Sequence, residues 1–172
     1  MFRDREDAAL QLAERLEKYK NQNVVVLAIP KGGLPLGVII AKALNASLDV
    51  ALSKKIGHPY NKEYAIGAVS LENVVLTNDH GVAKSYITEE TERIRKKLQS
   101  RFEMYHRNRE PISLKGKTII IVDDGIATGN TIKITAQLVQ NQHPQKTIVA
   151  VPVAPLGAIQ NLQDYKYIDQ VN

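Results

Sequence analysis

Residues 119–131 read IIIVDDGIATGNT, and this run constrains the fold more than any other part of the chain. Four consecutive apolar residues suit a strand covered on both faces. Two aspartates then leave that strand together, and adjacent carboxylates emerging from a core repel each other unless something binds them. Gly125-Ile126-Ala127-Thr128-Gly129-Asn130-Thr131 follows at once. Gly125 and Gly129 permit backbone angles that other residues avoid and allow the main chain to approach a ligand closely. The pattern predicts a strand, a turn and a helix start, with the loop at the C-terminal edge of a parallel sheet, where crevices form.

The rest of the chain supports such a sheet. Asp4 is placed to cap a helix with an apolar stripe of Ala9, Leu12, Leu16 and Tyr19. Val24 to Ile29 is a second continuous apolar run, Leu36 to Leu44 reads as a helix, and Leu48 to Leu52 as a strand. Ile56 to Tyr64 is polar, with Gly, Pro and Asn, and predicts a loop. Ala65 to Ser70 and Val74 to Thr77 predict a hairpin turning near Glu72-Asn73. Thr88 can cap a long helix carrying Ile94, Leu98, Phe102 and Tyr105 on one face. Thr118 to Asp123, Thr147 to Val151 and Ile168 to Val171 predict further strands, alternating with helices over Thr131 to Gln140 and Leu156 to Leu162. Alternation of this kind predicts an α/β fold with a mainly parallel sheet. At 172 residues the expectation is one domain, 1–172, and a C-terminal segment beyond the last strand is expected to be missing.

Composition narrows the chemistry. There are no cysteines, which excludes a disulfide scaffold and a zinc-thiolate site and makes a reducing cytoplasm the expected location. The histidines His58, His80, His106 and His143 have no metal-ligand spacing. No apolar run is long enough for a membrane helix, and the charged opening Met1-Phe2-Arg3-Asp4-Arg5 does not suit a secretory signal, so no membrane partner is expected. The formal net charge is +5, much of it between Lys84 and Arg109. That excess suits an anionic small molecule, nucleic acid, or simply a solvated helix face.

Successive N–H groups in the loop after the aspartates could surround a phosphate, and the helix start would add positive charge. Thr128 and Thr131 add hydroxyl donors. Phosphate on the loop and hydroxyls on Asp123 and Asp124 describe a sugar phosphate. A capped strand-turn-helix without ligand is the alternative, and it would leave both carboxylates, both glycines and both threonines without a role. A Walker loop is absent, because Val38 stands where its lysine belongs, and there is no G-x-G-x-x-G fingerprint. Pro30-Lys31-Gly32-Gly33 also joins a strand to a helix, and its end of the sheet is the same. It supplies a cation and close-approaching backbone, or is an ordinary glycine-rich turn.

These residues resemble a known family. IIIVDDGIATGNT looks like the 5-phosphoribosyl-1-pyrophosphate (PRPP) signature of type I phosphoribosyltransferases, and FRDREDA, PKGG and EYAIGAV look most like a bacterial branch of that family. The resemblance implies the type I fold, a central mainly parallel sheet of about five strands with helices on both faces. It implies a transferase of nucleotide metabolism that moves 5-phosphoribose from PRPP to a nitrogenous base and releases pyrophosphate. Asp123 and Asp124 would hold the ribose hydroxyls, and Gly125, Ile126, Ala127, Thr128, Gly129, Asn130 and Thr131 would form the 5-phosphate loop. Lys31, Gly32, Gly33 and Lys55 would meet pyrophosphate, with Lys31, Asp123 and Asp124 as the catalytic set. In the family a cis bond often joins the basic residue of the pyrophosphate loop to its glycine. Mg²⁺ is the implied cofactor, contacting Asp123 and Asp124 through water, and a homodimer is the expected assembly. By the same analogy His58, Lys62 or Glu63 approach the reaction centre on a mobile loop; otherwise they are surface residues. Ala127 stands where enzymes for 6-oxopurines commonly have an aspartate, which disfavours hypoxanthine and guanine as acceptors. Two alternatives share the site: a PRPP- or nucleotide-sensing regulator that binds nucleic acid or a protein, and a phosphoribosyl-handling hydrolase.

Overall fold

A computed structural model describes residues 1–172. The backbone groups into two compact units, residues 1–51 with 111–172, and residues 52–110.

The first unit contains a five-stranded sheet built from β1 (Val24–Ala28), β2 (Ser47–Val50), β6 (Thr118–Val122), β7 (Lys146–Ala150) and β8 (Gln170–Val171). Their order across the sheet is β2-β1-β6-β7-β8, and every neighbouring pair is parallel. Side chains alternate between faces along a strand, so the continuous apolar runs supply two cores. Val24, Val26, Ile120, Val122, Ile148 and Ala150 pack with Ala9, Leu12 and Ala13 of α1 (Arg5–Arg15) and Leu36, Ile40 and Leu44 of α2 (Gly33–Leu44). Val25, Leu27, Ile119, Ile121 and Val149 pack on the other side with Ile132, Ala136 and Val139 of α4 (Asn130–Gln140) and Leu162 of α5 (Leu156–Gln163). Ile119, Ile120 and Ile121 of the central strand are wholly buried. This is the five-stranded parallel sheet with helices on both faces that the resemblance implied.

Local signals behave as expected at several ends. Asp4 caps α1, its side chain accepting the Asp7 N–H at 2.8 Å. Asp49, buried at the end of β2, accepts the Val50 N–H at 2.8 Å and the Ile112 N–H at 2.9 Å.

The second unit holds β3 (Ser53–His58), β4 (Asn61–Ser70) and β5 (Val74–Leu76) in an antiparallel sheet, with α3 (Lys84–His106). Two expectations change here. Residues 56–64 form most of a hairpin rather than a loop, with its turn at Pro59-Tyr60. The turn residues are real local signals, but β4 extends them into pairing. Gly57 sits at the register shifts of this ladder, and a Cβ there would lie 2.4 Å from the Lys62 carbonyl oxygen. The helix α3 begins at Lys84 after Ala83, four residues before Thr88, and has no side-chain cap. Thr91, Ile94, Leu98, Phe102 and His106 are its buried residues. No helix is long and apolar enough to cross a membrane.

Candidate functional site

Strands β1 and β6 are central neighbours, in register from Val24–Thr118 to Ala28–Val122. From β1 the chain passes through α2 to β2 on one side; from β6 it passes through α4 to β7 on the other. The connections from these two strands therefore run to opposite sides of the sheet, the topology at which an open parallel sheet makes a crevice.

The first loop is Ile29-Pro30-Lys31-Gly32. The Ile29 N–H donates to the Val122 carbonyl at 2.9 Å, and the Gly33 N–H to the Ile29 carbonyl at 2.9 Å. A cis peptide joins Pro30 to Lys31, one residue earlier than the bond between the lysine and glycine that the resemblance suggested. Glycine is required here because the two loops touch. A Cβ at Gly33 would lie 2.3 Å from the Val122 carbonyl oxygen, and one at Gly32 would lie 2.4 Å from the Asp124 carboxylate. Lys31 is exposed and has no ion-pair partner.

The carboxylates differ. Both are half-buried, but Asp123 Oδ1 accepts the Asp124 N–H at 2.8 Å, while Asp124 Oδ2 accepts from Arg5 Nη2 at 2.8 Å. Burial pushes the Asp123 carboxyl up to about 6; the neighbouring Asp124 adds to the rise and the Asp124 N–H opposes it. Asp124 is thus countered from within the chain, by a cation the sequence reading missed. Arg5 lies 119 residues from Asp124. One signal pointed to it: a cation in the first turn of a helix is disfavoured by the helix dipole and gains from an outside carboxylate.

The second loop runs from Gly125 to Gly129. The Ile126 N–H donates to the Val153 carbonyl at 3.1 Å, which ties the loop to the segment between β7 and α5. Gly129 has φ of +83°, a left-handed conformation suited to glycine, whereas Gly125 does not need one. Gly129 is the N-cap of α4 and Gly32 is the N-cap of α2, and neither offers a capping side chain. The first N–H groups of a helix have no partner within it. Two helix starts with glycine N-caps therefore follow adjacent strands, an arrangement that suits anions, although the first N–H of each is already held, that of Gly33 by the Ile29 carbonyl and that of Asn130 by Thr128 Oγ1. Thr128 Oγ1 accepts the Asn130 N–H at 3.3 Å, and Ala127, Thr128, Asn130 and Thr131 are all exposed.

The structure thus brings together Lys31, Gly32, Gly33, Asp123, Asp124 and residues 125–131. Lys55 belongs to the second unit, on β3, where its Nζ lies 3.4 Å from Glu63 Oε2. His58 and Lys62 are in the same hairpin; Lys62 Nζ donates to Tyr86 Oη at 2.8 Å. In α3, Arg93 pairs with Glu90 at 2.8 Å and Arg95 donates to the Ser70 carbonyl at 3.3 Å, so part of the basic stretch is engaged internally. No group of three or more His, Asp or Glu side chains is arranged to hold a metal. Two adjacent carboxylates fit a hard cation such as Mg²⁺ that keeps waters and takes its other oxygens from a ligand.

The phosphoribosyl transferase domain family matches residues 5–171, through both units. The chain belongs to this family. Proteins of Mycobacterium tuberculosis strains CDC 1551 and H37Rv, whose names place them among phosphoribosyl transferases, are 38% identical to it over 170 residues, 96% of this chain. The chain spans 38% of the length of those relatives. The crystal structure of TT1426 from Thermus thermophilus is similar at 36% identity and a TM-score of 0.86, covering 99% of this chain and 82% of that one. The purine phosphoribosyltransferase from Pyrococcus horikoshii Ot3 shares the fold at 19% identity and a TM-score of 0.56, covering 98% of this chain and 80% of its own.

Proposed function

We propose that this phosphoribosyltransferase-family chain transfers 5-phosphoribose from PRPP to a nitrogenous base with release of pyrophosphate. The observation that carries the reading is the pair of helix starts with glycine N-caps, Gly32 before α2 and Gly129 before α4, beside the Asp123-Asp124 carboxylates at the ends of the adjacent strands β1 and β6. Residues 127–131 hold the 5-phosphate, and Asp123 and Asp124 hold the ribose hydroxyls. Lys31 and the backbone of Gly32 and Gly33 meet the pyrophosphate. Breaking the bond from the anomeric carbon to pyrophosphate puts positive charge on the sugar and negative charge on the leaving group. Positioning and electrostatic stabilisation are the contributions such a step needs, without a protein nucleophile. Lys31 is exposed and unpaired, which leaves its charge available to the leaving group. Mg²⁺, when bound at Asp123 and Asp124, would neutralise pyrophosphate charge. Ala127 offers no group for proton exchange with a base, which favours acceptors other than 6-oxopurines. The protein works in the cytoplasm on small molecules.

A pyrophosphate-release screen with PRPP, Mg²⁺ and a panel of bases and amines tests this reading. At least one acceptor should give release well above background, and Asp124→Asn should abolish it. Release with no acceptor, or full activity in the Asp124 variant, would refute the assignment.

A further inference from the structure

Arg5 is the first residue of α1, and its Nη2–H···Oδ2 bond to Asp124 is 2.8 Å long. The same carboxylate sits against the glycine loop, since a Cβ at Gly32 would lie 2.4 Å from its Cγ and Oδ1. Three segments distant in sequence converge on it: the start of α1, the loop after β1 and the end of β6. The Arg5 side chain is 71% exposed and that of Asp124 29%. Arg5 makes no other side-chain hydrogen bond or ion pair, and an exposed ion pair holds its partners only weakly.

The reading above requires Asp124 for ribose hydroxyls. A ligand that takes the carboxylate leaves the guanidinium without its counter-charge, beside a loop to which the same reading brings pyrophosphate. Guanidinium presents planar paired donors that match phosphate oxygens, while Lys31 supplies only a point charge. Resting on that reading, we propose that Arg5 is a ligand-binding residue. It counters Asp124 in the empty site and passes to pyrophosphate oxygens when PRPP binds.

Calorimetric titration of the full chain with PRPP and with ribose 5-phosphate, both with Mg²⁺, tests the proposal in the wild type, Arg5→Lys and Arg5→Gln. Arg5→Gln should weaken PRPP binding about tenfold, the worth of a charge-assisted contact. It should leave ribose 5-phosphate binding unchanged or tighter, because that ligand has no pyrophosphate and no longer competes with the guanidinium. Arg5→Lys should fall between the two for PRPP. Unchanged or tighter PRPP binding by Arg5→Gln would overturn the proposal, since Arg5 would then only obstruct Asp124. Equal losses for both ligands would also overturn it, since Arg5 would then only orient the carboxylate. If the wild-type chain binds neither ligand, the assignment of the site falls, and the role of Arg5 falls with it.

Discussion

Replacing Asp123 with Asn should make the protein more stable at neutral pH. The carboxyl of Asp123 is pushed from an ordinary 3.8 up to about 6, chiefly by burial. A folded-state pKa above the unfolded one means that the native state holds the proton more tightly. Any contribution to stability is therefore complete below about pH 4 and is lost as pH rises through 6. Above pH 6 the ionised group burdens the fold. A shift of roughly 2 pH units converts to about 3 kcal/mol. Asp123 is only half-buried, and solvent screening reduces the expected burden to about 1 kcal/mol. Asn keeps an oxygen that can accept the Asp124 N–H, now bonded at 2.8 Å, and carries no charge. Asp123→Asn should thus melt about 3 °C above the wild type at pH 7.5, the scale for 1 kcal/mol in a chain of this size. The difference should shrink steadily between pH 6 and pH 4 and vanish near pH 4. Calorimetric melts of both proteins across that range give the test. A variant less stable at pH 7.5, or a difference that ignores pH, would refute the argument that burial of this charge governs the site. Loss of sugar-phosphate binding in the stabilised variant would make Asp123 a group held for function at the expense of the fold.

The glycine and hairpin contacts lead to two further expectations. Gly33→Ala should lower unfolding free energy by about 2 to 3 kcal/mol in urea, because its Cβ would meet the Val122 carbonyl oxygen at 2.3 Å and the Asp123 Cα at 3.0 Å, neither of which can yield; Gly157→Ala in α5, where a Cβ meets nothing within 4 Å, should instead be neutral or stabilising, and equal effects would contradict the packing. Tyr86→Phe removes a hydroxyl that donates to the Gly57 carbonyl at 2.6 Å and accepts from Lys62 at 2.8 Å, so amide exchange in the β3–β4 hairpin should quicken by about fivefold, matching roughly 1 kcal/mol; unchanged exchange would show that the hairpin holds itself.

Much of the first unit was legible because its signals are local. Runs of β-branched residues mark β1, β6 and β7, since strands buried on both faces have no polar side to show. The Asp4 cap and the left-handed Gly129 follow from backbone chemistry within a few residues. The Asp123–Thr131 loop could be read at once, because strand, carboxylates, glycine and helix start are consecutive. The second unit was less legible. Gly, Pro and Asn around Pro59 announce a turn, but only pairing with β4 extends it into strands, and the partner residues decide how far. The start of α3 was misplaced because Lys84 has no capping side chain before it to signal entry.

What the sequence determined by itself was the kind of sheet and the presence of a glycine-rich loop directly after paired carboxylates, because periodicity and glycine geometry act over short range. The tertiary structure decided which groups meet there. It set Gly32 against Asp124 and Gly33 against Val122, so that glycine is needed for contact between loops as well as for contact with a ligand. It buried Asp123 enough to raise its proton affinity, and it placed Arg5 on Asp124 across 119 residues. Charge pairing and desolvation depend on distance in space, and no spacing along the chain records that distance.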